Sequence, residues 1–320
     1  MVMLNQQLFD FEKSLGQSVL QQIEAPFIKE KGIELWMKRD DLLHPIVSGN
    51  KWRKLKYVLN DALSVEAQRL ISMGGAYSNH LHALAYVGHC LGLPTAAYIR
   101  GECPKHLNPS LVDMQQWGMR LHYVTRSDYQ LLRQQGLASY QQGDYWIPEG
   151  GSLTPALQGV AELLTEIDID YDVLCVPCGT ATTLAGLVSA LPDTKKIIGF
   201  AALKGAGFLV DDVQKMLNKV ACHNNDWLVN LNYHFGGFAK TKPELHDFID
   251  DFEQQQQILL EPIYTGKMLY GIYDLIKQGY FQAGQRIIAL HTGGLQGKRG
   301  FTAKHNKEMK KYDHSRINRS

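Results

Sequence analysis

Ser48-Gly49-Asn50-Lys51-Trp52-Arg53-Lys54-Leu55 is the stretch on which the reading of this chain turns. Just upstream, Leu35 to Asp41 has the look of a short strand. Downstream, apolar residues recur at Leu55, Val58, Leu59, Ala62 and Leu63, the 3.6-residue period of an amphipathic helix. Asn50 is a good N-cap and Gly49 a good turn residue, so Lys51 is expected to open that helix. An ammonium there faces the positive end of the helix dipole, which favours the neutral amine. A neutral lysine can form a Schiff base with a carbonyl compound. A surface lysine flanking a helix fits the same residues, so the segment alone does not fix the chemistry.

Working outward, β-rich apolar runs alternate with helical patterns. The strand candidates are Arg69–Met73, Thr95–Arg100, Arg120–Thr125, Asp172–Cys178, Lys196–Ala202, Gln257–Leu260 and Arg286–His291. Amphipathic stretches such as Ala156–Ile167 lie between most of them. That alternation predicts an α/β protein with parallel twisted sheets covered by helices. A chain of 320 residues exceeds the usual single core, so two lobes are expected. There is no internal repeat.

Composition removes several classes of function. A net charge of +1 argues against nucleic acid as a partner. No run approaches the roughly 20 apolar residues of a membrane span, and the N-terminus lacks a signal-peptide pattern, so no membrane partner and a cytoplasmic location are expected. Cys175-Val176-Pro177-Cys178 spells C-x-x-C, but Cys90, Cys103 and Cys222 supply no second ligand pair, and no metal is expected. The basic tail from Lys298 to Ser320 reads as a solvated terminus.

A second segment carries chemistry. Gly74-Gly75-Ala76-Tyr77-Ser78-Asn79-His80 follows a short apolar run and precedes a helical pattern, placing a hydroxyl, an amide and an imidazole at a strand–turn–helix junction. With it stand Lys38-Arg39-Asp40-Asp41-Leu42, Pro148-Glu149-Gly150-Gly151-Ser152, Gly179 to Gly186, Tyr264-Thr265-Gly266-Lys267 and His291-Thr292-Gly293-Gly294. In this order and spacing the chain resembles the fold-type II enzymes that use pyridoxal 5'-phosphate. Within them it resembles the D-cysteine desulfhydrase and 1-aminocyclopropane-1-carboxylate deaminase family. The resemblance spans about residues 18 to 297.

The resemblance implies a tryptophan synthase β-like fold in which a small domain, residues 52–155, is inserted in a large cofactor-binding domain, residues 1–51 and 156–320. It implies pyridoxal phosphate held by Lys51 and Asn50. It also implies a phosphate cradle over Gly179, Thr180, Ala181, Thr182 and Thr183, where backbone N–H groups at a helix N-terminus suit an anion. Asn79 is the expected partner of the ring hydroxyl, and Thr292 a further cofactor contact. Ser78 and Tyr264 join Lys51 as the expected catalytic residues. Ser78, Asn79, His80, Tyr77 and Phe238 are the expected substrate contacts, although His80 also reads as a structural hydrogen-bonder. The partner is a small amino acid, and the assembly a homodimer.

For the pyridine nitrogen the resemblance points to Thr265. This position is an acid in the ring-opening members of the family and a threonine in the desulfhydrase-like ones. A hydroxyl leaves the nitrogen largely neutral, which suits loss of a good leaving group such as thiolate. The expected reaction is therefore α,β-elimination from D-cysteine to pyruvate, ammonia and hydrogen sulfide, with Lys51 taking the Cα proton. Deamination of 1-aminocyclopropane-1-carboxylate, action on another amino acid, and a cofactor-binding protein without activity are the alternatives. Tyr77, His82 and Phe238 depart from the family's usual glutamine, arginine and tyrosine. Ala181 and Thr182 stand where the family carries more glycine.

Overall fold

A computed structural model describes residues 3–138 and 140–300. Residues 301–320, which hold most of the basic tail, lie outside the described residues. Among the described residues ten strands form two sheets. The larger runs β1 (Leu20–Ile23), β2 (Glu34–Lys38), β10 (Arg286–Leu290), β7 (Val173–Cys178), β8 (Lys196–Ala201), β9 (Trp227–Asn230) in spatial order. The smaller runs β5 (Arg120–Val124), β4 (Thr95–Arg100), β3 (Arg69–Gly74), β6 (Asp144–Ile147). Every pairing is parallel except β1 on β2.

Alternation along the strands of the large sheet explains why both of its faces are covered. Leu35, Met37, Val173, Cys175, Ile287 and Ala289 point into one core, whereas Leu174, Val176, Ile288 and Leu290 point into the other. Helices must pack on each side of such a sheet. The small lobe has its own core, where Leu55, Val58, Leu59 and Ala62 of the helix Asn50–Ser64 meet Leu70, Leu84 and Ala97. The apolar period read from the sequence is the face of that helix turned to this core, although Trp52 to Asn60 is buried on its other faces as well. Truncating one of these residues, Leu59→Ala for example, removes fully buried volume and costs about 2–5 kcal/mol.

Three local expectations change. Gly49, not Asn50, is the residue before the helix; its φ of 60° and ψ of −139° suit only glycine, and an added Cβ would lie 2.0 Å from the Thr292 carbonyl oxygen. The expected helix Ala156–Ile167 is a helix over Thr154–Ala161 followed by a 3-10 turn, Glu162–Glu166. Gln257–Leu260 is not a strand. Ile258 and Leu260 are buried and Gln257 and Leu259 exposed, which mimics strand alternation. Side chains satisfy its backbone instead: Leu260 N–H donates to Glu253 at 2.7 Å, and the His291 Nε2 lies 2.8 Å from the Leu259 carbonyl.

The Lys38-Arg39-Asp40-Asp41 run is a structural tie. Lys38 is fully buried and donates to Ser18 O at 2.7 Å and to Glu166 at 3.0 Å. Arg53 joins Asp40 at 2.9 Å and the same Glu166 at 2.7 Å. The Asp40 carbonyl accepts from Gly49 N–H at 2.9 Å, which sets the turn before Lys51. Among the described residues no helix is long and apolar enough to cross a membrane.

Candidate active site

Loops at the carboxyl ends of β7, β10 and β3 meet the first turns of the helices Asn50–Ser64, Asn79–Leu91 and Thr265–Lys277 in one cleft. This is the usual ligand position in open α/β sheets. Ser48 and Gly49 pack on Thr292-Gly293-Gly294 after β10, and Gly294 N–H donates to Ser48 Oγ at 3.3 Å. Asn50 Nδ2 donates to Thr183 Oγ1 at 2.9 Å, which ties the lysine turn to the loop after β7.

Lys51 Nζ donates to Asn50 Oδ1. Burial pushes its pKa down to about 8, with the Glu261 carboxylate opposing. Burial is thus a cause of the lowered Lys51 pKa that the sequence reading, which rested on the helix dipole, did not include. One turn on, Lys54 Nζ lies 3.3 Å from Gly150 O and 3.4 Å from Thr180 Oγ1. Burial, and then the Lys51 charge, bring it down to about 7. Three residues apart, the two ammonium groups share one face of the helix. Lys54 thus sets a titratable cation beside the 179–183 loop.

That loop enters the helix Thr182–Val188 from Ala181. Thr182 Oγ1 meets Ser152 Oγ at 2.8 Å, joining it to the Pro148–Ser152 segment. Gly179 admits the Tyr264 ring, to which an added Cβ would come within 2.7 Å. Tyr264 itself is held half-buried, and burial pushes its phenol up, the Glu261 charge adding.

Thr265 opens its helix with Oγ1 buried and facing the Glu261 carboxylate, whose pKa its hydroxyl helps to lower without closing a full hydrogen bond. A hydroxyl so placed keeps hydrogen-bonding capacity for a further partner. The only carboxylate one helical turn away, Glu261, is already engaged. It accepts from the N–H groups of Ile263 (2.7 Å), Tyr264 (2.9 Å) and Thr265 (2.6 Å), and burial raises its pKa. It caps the helix start, and Thr265 presents a neutral hydroxyl. Lys51, Lys54 and the buried Thr265 hydroxyl together fit a carbonyl-bearing ring with a phosphate on one side and a nitrogen on another.

Across the cleft, Ser78 is the N-cap of the helix Asn79–Leu91 and accepts from Leu81 N–H at 3.2 Å; its own proton remains free to donate. Asn79 sits against Gly294 and accepts from Gln296 Nε2 at 2.6 Å. His80 points the other way: its Nε2 meets Ser72 Oγ at 2.9 Å, while Nδ1 is buried without a partner. Burial and the two lysines hold it neutral, down to about 3. His82 turns onto Asp113 at 2.8 Å, and Arg299 reaches the same carboxylate at 2.6 Å. Tyr77 and Phe238 are largely exposed at the rim, Phe238 edge-on to Tyr264 with centroids 6.1 Å apart.

Cys175 and Cys178 are buried free thiols, Cys178 pushed up to about 12 by burial, which opposes redox use. Sequence reading missed Lys54, Glu261 and Gln296. Lys54 carried a signal in its three-residue spacing from Lys51, and Glu261 in its place one turn before Thr265. Gln296 carried none.

A family model described as "Pyridoxal-phosphate dependent enzyme" matches residues 14–293. The bifunctional D-cysteine desulfhydrase/1-aminocyclopropane-1-carboxylate deaminase of Arabidopsis thaliana, a mitochondrial protein, is 31% identical, covering 83% of this chain and 73% of its own. A putative 1-aminocyclopropane-1-carboxylate deaminase of Pyrococcus horikoshii is 30% identical, covering 84% of this chain and 87% of its own. A crystal structure of an ACC deaminase homologue superposes with a TM-score of 0.77 at 24% identity, covering 94% of this chain and 98% of the other.

Proposed function

Since the chain belongs to the pyridoxal-phosphate dependent enzyme family, we propose that it catalyses α,β-elimination from D-cysteine, releasing hydrogen sulfide, pyruvate and ammonia. Bound pyridoxal phosphate supplies an electron-withdrawing ring that acidifies the Cα proton of an attached amino acid. Lys51 Nζ holds the cofactor and then takes the Cα proton, a task suited to an amine whose pKa lies near 8. Lys54 and the N–H groups of residues 179–183 bind the phosphate. Ser78 Oγ and the start of the Asn79–Leu91 helix hold the substrate carboxylate, and Asn79 the ring hydroxyl. The Cα–H and Cβ–S bonds break, thiolate leaves with a proton as hydrogen sulfide, and water hydrolyses the remaining imine to pyruvate and ammonia.

The single observation behind this choice is Thr265, a buried neutral hydroxyl where a strong electron sink would need a carboxylate. Elimination of a good leaving group tolerates a neutral ring nitrogen; opening an unactivated cyclopropane does not. Thr265→Glu should therefore raise the ratio of keto acid formed from 1-aminocyclopropane-1-carboxylate to sulfide formed from cysteine. An unchanged ratio in a variant that still binds cofactor would contradict the electronic argument. The substrate being a free small amino acid, we read the protein as a cytoplasmic homodimer, which light scattering on the purified protein tests.

A further inference from the structure

One face of the helix Thr265–Lys277 has no part in the chemistry above. Lys267, Tyr270, Gly271 and Asp274 lie three, four and seven residues apart and all address the segment 233–237. Lys267 is buried, and its Nζ donates to three backbone carbonyls: Gly237 at 2.9 Å, His234 at 3.0 Å and Ala202 at 3.3 Å. Asp274 accepts from Tyr233 Oη at 2.8 Å. The Tyr270 ring meets Phe235 edge-on at 4.9 Å, and Gly271 leaves room for the Tyr233 ring, to which a Cβ would come within 2.7 Å.

The segment needs holding. Phe235 and Ala239 have φ of 52° and 53°, and Gly236 and Gly237 lie between them at 97° and 124°. Left-handed backbone at non-glycine residues persists only where the surroundings fix it. An ammonium has three protons and here finds three carbonyls. Two of these carbonyls also accept backbone N–H groups, His234 from Gly237 at 3.0 Å and Gly237 from Lys240 at 3.1 Å, so the ammonium adds a second partner to each and ties the turn to the Ala202 carbonyl. The next residue after this clamp is Phe238, whose ring meets Tyr264 edge-on.

We propose that Lys267 is a positioning residue: an internal cation that holds the 234–237 backbone and so sets Phe238 as a wall of the substrate pocket. The assignment of Phe238 to the pocket rests on the reading of the site given above; the clamp itself does not. Phenylalanine offers no hydrogen-bond donor, so this wall favours amino acids whose side chain beyond the leaving atom is apolar or absent.

The holoenzyme is digested briefly with trypsin, and cleavage after the exposed Lys240 is followed in wild type, K267M and K267Q. K267M should be cut there at least about tenfold faster, with cleavage at other sites changed less than about twofold, as expected for local rather than global opening. K267Q, which keeps two N–H donors without the charge, should fall between. With the amino acid turned over, K267M and F238A should each raise KM about tenfold and leave kcat within about twofold, and the double variant should be no worse than either. Cleavage rising equally at all sites, or unchanged after Lys240, would overturn the clamp. KM effects that multiply in the double variant would sever it from Phe238. Digestion needs no substrate, so a loosened loop in a protein that releases no sulfide would reject the D-cysteine reading and keep this one.

Discussion

The two ends of the cleft are built differently. The cofactor end is closed and cross-linked: Asn50 to Thr183, Lys54 to Thr180, Ser152 to Thr182, with Gly49 pressed on Thr292. The substrate mouth is open, and its side chains Tyr77 and Phe238 are 41% and 49% exposed. At the first end each residue is constrained by several others, so substitution is expensive. At the second a side chain can change without disturbing its neighbours. Chemistry common to a family belongs in the first and substrate choice in the second.

The sharpest break of this contrast is Lys51→Ala. It removes the residue proposed as the cofactor's covalent anchor and as the base for the Cα proton, so turnover should fall at least about 1000-fold. Borohydride should fix the cofactor on a single lysine peptide of the unmodified protein and label nothing specific in the variant. Retained labelling on another lysine would relocate the site.

Next in size is Ala181→Asp. Ala181 is 6% exposed at the entry to the phosphate loop, and a carboxylate there opposes the phosphate. Cofactor affinity should drop about 100-fold, near 3 kcal/mol, by equilibrium dialysis. Unchanged affinity would place the cradle elsewhere.

A smaller effect follows from the two lysines. Raising the pH through about 8 frees the Lys51 amine to attack a carbonyl, while raising it through about 7 discharges Lys54 and weakens its hold on a phosphate. Cofactor capture by the apoprotein should therefore be fastest between pH 7 and 8, falling about tenfold per unit on the acid side. Lys54→Met should remove the alkaline decline. A monotonic rise to pH 10 in the unmodified protein would count against Lys54 as a phosphate ligand.

The smallest effect belongs to the mouth. Tyr77→Phe should leave cofactor affinity and thermal stability within error, because an exposed side chain contributes within about 0.5 kcal/mol. A large loss would make Tyr77 part of the machinery.

The same contrast explains what could be read from sequence. Gly49 and Lys51 were legible from turn rules at an element junction, with the cap one residue earlier than expected, whereas Ser78, Asn79 and Thr265 were picked out by the family resemblance. The central strands were legible because long apolar runs mark strands buried on both faces. The edge strands β1, β6 and β9 were not: Leu20-Gln21-Gln22-Ile23 buries only Ile23, and Trp227–Asn230 is half-buried throughout. Gln257–Leu260 carried the alternation of a strand while its backbone bonded to side chains, which no local pattern reveals. His80 read more as a structural hydrogen-bonder than as a ligand, but its partner Ser72 could not be named because that bond is a contact between elements. Lys267 looked like the end of a motif because its three carbonyl partners lie 30 or more residues away.

The central claim is that a neutral hydroxyl at Thr265 directs this site to elimination. Its most direct test is to supply the purified, cofactor-loaded protein with D-cysteine, L-cysteine and 1-aminocyclopropane-1-carboxylate in parallel, measuring sulfide, ammonia and keto acid. The account predicts sulfide and pyruvate in equal amounts from D-cysteine and little keto acid from the cyclopropane. Efficient ring opening, with no sulfide from either enantiomer of cysteine, would contradict it.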